Sequence, residues 1–105
     1  MTTFDEREKE FEARFKHDQE LQFKIKARRN RLLGLWAAEK MELSGVDADA
    51  YAKSVVAAQF GGGDRRILEK VTADLAATAP GVTEAQIRFQ FDCLSQEAMQ
   101  QVMKG

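Results

Sequence analysis

Apolar residues recur at helical spacing along almost the whole chain, and no segment alternates apolar and polar residues over the length of a strand. Pro80 is the only proline, and the helical pattern is broken only at "LSGV", "GGG" and "APG". Because these connections are short, consecutive helices should run antiparallel. The sequence therefore predicts an all-α protein, a small four-helix bundle.

The first predicted helix is much longer than the others. It starts with a capping-box pattern at Thr3 and Glu6 and runs to about residue 42, roughly 60 Å at 1.5 Å per residue. A bundle of shorter helices cannot cover this length, so its N-terminal part should overhang, and it can be disordered when the protein is free. We expect an N-terminal segment at residues 1–19 and a bundle at residues 20–105. The predicted apolar stripe of this helix comprises Phe4, Phe11, Phe15, Leu21, Ile25, Leu32, Leu35 and Trp36.

The other three helices follow from their start signals and apolar faces. The second is predicted to begin near Asp47 as N-cap, the third at Asp64, and the fourth at the capping box of Thr83 and Gln86. Their predicted packing residues are Tyr51, Val55, Val56 and Phe60 in the second helix, Ile67, Leu68, Val71 and Leu75 in the third, and Ile87, Phe91, Leu94, Ala98 and Val102 in the fourth.

Composition limits the classes of function. The net charge of -1 gives no global reason to expect nucleic acid or a membrane surface as partner. No apolar run is long enough to span a bilayer, and the N-terminus does not resemble a signal peptide. Cys93 is the only cysteine, which excludes an internal disulfide and suggests a reducing compartment. We expect a cytoplasmic protein without membrane insertion.

Catalytic chemistry finds little support in the sequence. His17 is the only histidine, and no set of residues has the spacing of metal ligands. His17 and Cys93 could form a base and a nucleophile, but we expect Cys93 to pack as a small apolar residue beside Phe91 and Leu94. The prediction is a protein that is not an enzyme and has no cofactor.

Two basic features keep other functions open. Residues 21–31 carry five bases and no acid, which could bind nucleic-acid phosphates, although a solvated helix face is the commoner role. In "GGGDRR", glycines precede a helix N-terminus and two arginines, which is one way to contact an anion. The alternative functions are therefore a nucleic-acid-binding module and a nucleotide-sensing module with weak ATP or ADP contact. The arginines assigned to such a contact are Arg28, Arg29, Arg65 and Arg66.

The opening stretch "TTFDEREKEFEARFKH" combines three phenylalanines with dense charge. A stripe of Phe4, Phe11 and Phe15 on an overhanging helix is the sequence form of helix-in-groove recognition. Folding back onto the bundle, or fraying, are the other fates of such a segment. The sequence predicts a helical bundle with an exposed partner-binding helix.

Several motifs resemble one family. "TTFDERE", "FEARFKHDQEL" and "ARRNRLLGLWAAE" look like the zeta subunit of alphaproteobacterial F-type ATP synthases, and "YAKSVVAAQF" and "VTEAQIRFQF" fit more loosely. The resemblance implies an inhibitor of ATP hydrolysis whose N-terminal segment enters an interface between alpha and beta subunits and stops rotation of the gamma subunit. It would act in the cytoplasm, peripheral to the membrane-bound enzyme.

The resemblance also assigns residues and shows one departure. Carried onto this chain, the apolar anchors would be Phe4, Phe11 and Phe15, and the polar contacts would come from Asp5, Glu6, Arg7, Arg14 and Lys16. The family tends to be acidic after the second helix, whereas this chain has "QFGGGDRR" there.

Overall fold

Four α-helices make up the computed structural model, which describes the backbone of residues 2–104 and the side chains of residues 18–104. They are α1 (Thr2–Lys40), α2 (Gly45–Ala58), α3 (Gly63–Thr78) and α4 (Glu84–Lys104), with a 3₁₀ turn at Gln59–Gly61 between α2 and α3. No strand occurs in this part of the chain. The predicted all-α fold with a long first helix is confirmed. The predicted cap at Thr3 lies outside the residues whose side chains are described, and so does most of the segment 1–19 that is expected to be disordered. Both stay predictions.

The core lies where α1 crosses the three shorter helices, and α1 packs most extensively on α2 and α4. Leu33, Val55, Ile67 and Leu75 are fully buried at its centre. Six residues of the predicted faces of α3 and α4 are buried, namely Ile67, Val71, Leu75, Ile87, Leu94 and Ala98, whereas Leu68, Phe91 and Val102 are partly buried. The capping box of α4 is also present: the backbone N–H of Thr83 donates to Gln86 Oε1 at 2.9 Å, and the Gln86 N–H donates to Thr83 Oγ1 at 3.2 Å.

The α1–α2 crossing depends on a glycine. A Cβ on Gly34 would lie 2.6 Å from the Cα of Ala52, which is closer than real Cβ contacts allow. Both residues are buried, and the two backbones come close together at this point because Gly34 has no side-chain carbon and Ala52 has only a methyl group. Gly34 thus sets how closely α2 approaches α1.

The end of α1 is a Schellman motif that uses an unusual residue. The Leu43 N–H donates to the Ala38 carbonyl at 2.9 Å, and the Glu42 N–H donates to the Glu39 carbonyl at 3.0 Å. Glu42 occupies the left-handed position with a φ of 62°, where glycine is the usual residue. The turn into α2 therefore carries backbone strain at a side chain that is exposed.

Three sequence predictions of local structure are wrong. α2 begins at Gly45 with Ser44 as N-cap, so Asp47 lies in its first turn and does not cap it. Phe60 lies in the 3₁₀ turn and is 72% exposed, because the α-helix ends before it. Cys93 is exposed, since one residue of helix turns it about 100° from buried Leu94. The predicted stripe of α1 is correct in part: Ile25 is buried and Leu32 and Trp36 pack against the core, but the fully buried Leu33 was not predicted.

Candidate partner-binding surface

The N-terminal segment that the sequence assigns to partner binding lies outside the described side chains. This applies to Phe4, Asp5, Glu6, Arg7, Phe11, Arg14, Phe15 and Lys16. α1 continues from this segment into the bundle, so the described part of the molecule shows how the helix is held. The assignments themselves remain predictions.

A buried polar network fixes α1 to the rest of the bundle. Arg29 is only 5% exposed, and its guanidinium donates to Asp64 Oδ1 at 2.7 Å and to Asn30 Oδ1 at 3.0 and 3.1 Å. The Asn30 amide then donates to Gln59 Oε1 at 2.9 Å. The guanidinium carbon also lies 4.2 Å from the centre of the Phe91 ring, a cation–π contact. One side chain of α1 thereby contacts α3 and α4, and its neighbour contacts the 3₁₀ turn.

This network explains the arginine in the middle of α1. Ile25, Arg29, Leu33 and Ala37 follow each other at intervals of four and are all buried, so Arg29 lies on the core stripe. Among the described residues, no buried side-chain nitrogen or oxygen lacks a hydrogen-bond partner. Sequence reasoning counted Arg29 among the surface bases and did not single out Asn30. The four-residue spacing around Ile25 and Leu33 was the available signal.

The four arginines assigned to anion contact do not share one location. Arg29 is buried and bound to Asp64, whereas Arg28, Arg65 and Arg66 are exposed. Arg65 pairs with Glu69 at 2.9 Å on α3. Asp64 of "GGGDRR" forms an ion pair with Arg29, so this residue of the motif has a structural role in joining α3 to α1. The assigned nucleotide contact stays a prediction.

The second ion cluster joins α1 to α2 around Asp49. Arg31 of α1 lies 3.2 Å from Asp49 Oδ1, and Lys53 lies 3.3 Å from Asp49 Oδ2. The hydrogen bond and charge of Lys53, with a smaller contribution from Arg31, hold the pKa of the Asp49 carboxyl below its ordinary value against a small opposing effect of burial. The carboxylate stays ionised at neutral pH and offsets part of the positive charge of this region.

The third polar cluster joins α2 to α3. The Tyr51 hydroxyl donates to Asp74 Oδ2 at 2.8 Å, Lys70 lies 3.1 Å from the same oxygen, and its ammonium stands 5.3 Å from the centre of the Tyr51 ring. Burial, together with the hydrogen bond and negative charge of Asp74, raises the pKa of the Tyr51 hydroxyl strongly. The neutral phenol is therefore the form that this contact favours.

Two exposed aromatic rings meet where α1 passes the 3₁₀ turn. The Phe23 and Phe60 rings have centroids 6.0 Å apart, with 52% and 72% of these residues exposed. Single exposed apolar residues are common on protein surfaces, whereas neighbouring ones that form a patch often mark an interaction site. Phe23 lies four residues after the predicted N-terminal segment, on the same helix.

The side chains described here offer no metal centre. No group of three or more His, Cys, Asp or Glu is placed to hold a metal ion within the described residues. Across the same part of the chain, none of the helices is long and apolar enough to span a bilayer. The polar clusters above join the helices to one another.

The comparisons with known proteins decide the family. The family model described as "ATPase inhibitor subunit zeta" matches residues 1–101. This chain belongs to that family. A solution NMR structure is 40% identical to it, with a TM-score of 0.71 over 80% of this chain and 96% of the other. No curated protein sequence matches the chain at a significant level.

Membership of the zeta family confirms the resemblance found in the sequence motifs. It supports an ATPase-inhibiting role and an interaction with the ATP synthase complex, and it suggests a regulatory protein that is not itself catalytic. The match starts at residue 1, so it includes the N-terminal segment as well as the bundle.

Proposed function

We propose that this chain inhibits an F-type ATP synthase by inserting residues 1–19 as a helix at a catalytic interface between alpha and beta subunits. The inserted helix prevents the closure of the interface that ATP hydrolysis requires, and rotation of the gamma subunit then stops. No chemical step by the inhibitor is needed, because blocking a conformational step is enough to stop turnover. The family match over residues 1–101 carries this proposal.

The bundle at residues 20–105 supports the inserted helix from outside the interface. α1 runs into the bundle, and its Arg29 is bound to α3 and α4 by the contacts described above. A helix whose C-terminal part is held by the bundle loses less conformational freedom on binding than a free peptide does. The proposal therefore divides the molecule into an inhibitory segment and a support that orients it.

The phenylalanines are the proposed source of binding energy. Burying a large apolar side chain contributes about 1.5–3 kcal/mol, so Phe4, Phe11 and Phe15 together contribute on the order of 5–9 kcal/mol. Ordering each residue of the segment costs about 1–2 kcal/mol before helical hydrogen bonds form. Until helical hydrogen bonds compensate, this ordering cost exceeds the gain from the three side chains, so an isolated segment should bind poorly without the support of the bundle.

The test measures ATP hydrolysis by an alphaproteobacterial F-type ATPase in the presence of four proteins. They are the full chain, a 20–105 truncation, the Phe11→Ala/Phe15→Ala variant and a Phe89→Ala control. Phe89 is 68% exposed on α4, so its removal alters an exposed phenylalanine outside the segment. Only the full chain and the control should inhibit. Inhibition by the truncation would contradict the proposal, and a thermal unfolding measurement checks that the truncation is folded.

A further inference from the structure

A groove of about 650 Å³ opens between α1, α2 and the last turns of α4. Its apolar surface comes from four partly buried aliphatic side chains and from exposed Phe23. The four are Leu21, Ala27, Val56 and Val102. All three helices contribute to it, so the groove exists only in the assembled bundle.

The rim of the groove is positively charged. Lys24, Arg28 and Arg31 lie at positions i, i+4 and i+7 on one face of α1, and Lys53 faces them from α2. All four are exposed. Among the described side chains nearby, Asp49 is bound by Arg31 and Lys53, and Glu97 accepts a hydrogen bond from Gln101. Glu20 lies one turn before Lys24 on α1. Four cations against three carboxylates leave an excess of positive charge.

We propose that this groove is the docking site of an acidic amphipathic helix of the ATP synthase. The aliphatic floor takes the apolar face of such a helix, and the four cations attract its carboxylates. The length of the basic row, about 10 Å along α1, corresponds to two turns of a bound helix. This inference rests on the proposed function, since it names the surface through which the supporting bundle contacts the same enzyme.

The position of the groove agrees with this partner. Leu21 lines the groove two residues after the end of the proposed inhibitory segment, so insertion of that segment brings the groove against the enzyme surface. A single-stranded nucleic acid fits less well, because it stacks on aromatic platforms, whereas the floor here is aliphatic and Phe23 is the one aromatic residue among those lining the groove. The charge complementarity and the apolar floor together favour a protein helix.

The test uses the full chain and a matched pair of charge reversals. The groove variant is Lys24→Glu/Lys53→Glu, which changes both banks of the groove. The control is Lys40→Glu/Arg88→Glu, at the other end of α1 and on α4. Both variants change the net charge by the same amount, and each removes one i,i+4 ion pair. The groove variant removes the pair of Lys53 with Asp49 at 3.3 Å, and the control removes the pair of Arg88 with Glu84 at 3.2 Å. Thermal unfolding checks that both fold, and Lys24→Gln/Lys53→Gln provides a milder groove variant.

Binding to the purified ATPase should weaken about tenfold or more in the groove variant at low salt, with a smaller loss for the glutamine variant. The control should bind within about twofold of the unaltered chain. At saturating concentration the groove variant should still inhibit, because its N-terminal segment is intact. Val102→p-benzoylphenylalanine should cross-link to an acidic helical segment of the enzyme.

Equal affinity of the groove and control variants would overturn the inference, and so would a cross-link to a basic segment. So would loss of RNA oligonucleotide binding in the groove variant with ATPase binding unchanged. Parallel assays of Phe11→Ala/Phe15→Ala separate this inference from the proposed function. Full inhibition by that variant refutes the insertion of residues 1–19, whereas equal affinity of the groove and control variants refutes only the groove.

Discussion

The guanidinium of Arg29 on α1 lies 2.7 Å from Oδ1 of Asp64, the second residue of α3, across 35 positions of sequence. The arginine side chain is 6% exposed and the aspartate side chain 47%. The contact therefore joins a buried cation to a carboxylate that water still reaches. Asp64 also lies in the first turn of α3, where a negative charge is favourable.

Removing the carboxylate at position 64 should destabilise the bundle. In Asp64→Ala the buried guanidinium keeps only the Asn30 oxygen and the Phe91 ring as described partners, and the expected loss is about 1–3 kcal/mol in the free energy of unfolding. Urea unfolding of the full chain measures it. Arg65→Ala is the matched control, since it breaks the exposed pair with Glu69 and should cost less than about 0.5 kcal/mol. Equal losses in the two variants would contradict a special role for Arg29.

The close approach of α1 and α2 makes Gly34→Ala a test with a clear sign. Alanine favours helix over glycine by about 1 kcal/mol, so an unhindered position would gain stability. Here the new methyl group meets the Ala52 backbone, and a net loss of about 1–3 kcal/mol is expected. Gly81→Ala, which adds a methyl group in open space, is the comparison and should change stability little. A stabilised Gly34→Ala would mean that the helices lie farther apart.

Glu42, in the left-handed position at the end of α1, is a site where a glycine should stabilise the protein. Glu42→Gly places glycine at a φ of 62° and should raise the melting temperature, with a gain of about 0.5–1 kcal/mol. Calorimetry of the full chain measures the change. Glu42→Ala removes the same carboxylate without relieving the backbone, so it should show little of this gain. If both variants gain equally, charge and not backbone conformation is responsible.

The partly buried hydroxyl of Tyr51, bound to Asp74, predicts a loss of stability at high pH. Its pKa is raised in the folded protein, so the contact contributes fully below the ordinary tyrosine pKa of 10.0 and is lost as the pH rises above that value toward the folded pKa. Melting temperatures between about pH 8 and 11 should fall more steeply for the unaltered chain than for Tyr51→Phe. Tyr51 is the only tyrosine, so its absorbance titration can be followed directly. A folded-state midpoint at or below the ordinary value would contradict this contact.

Local signals in the sequence were sufficient for α3 and α4. Each has a regular apolar face, α4 also has its capping box, and Ile67, Leu75, Ile87 and Leu94 are buried as the spacing predicts. The ends of α2 were less predictable. Its start at Gly45 uses no side-chain cap, and the change to a 3₁₀ turn at Gln59 leaves Phe60 exposed. Helical periodicity does not report such changes of hydrogen-bond pattern.

The buried face of α1 was the larger error, because only apolar residues were counted. Arg29 and Asn30 are buried by partners that lie 35 and 29 positions away, and no local pattern shows those partners. The groove could not be predicted for the same reason. Its walls come from α1, α2 and α4, and their meeting depends on contacts such as the one between Gly34 and Ala52.

The exposure of Cys93 has a practical consequence. It is the only cysteine in the chain and it faces solvent on α4, so a maleimide dye attaches at one known position of the unmutated protein. The fluorescence anisotropy of that dye then reports assembly with the much larger ATPase. Every variant above keeps this residue, and all of them can be compared through the same label.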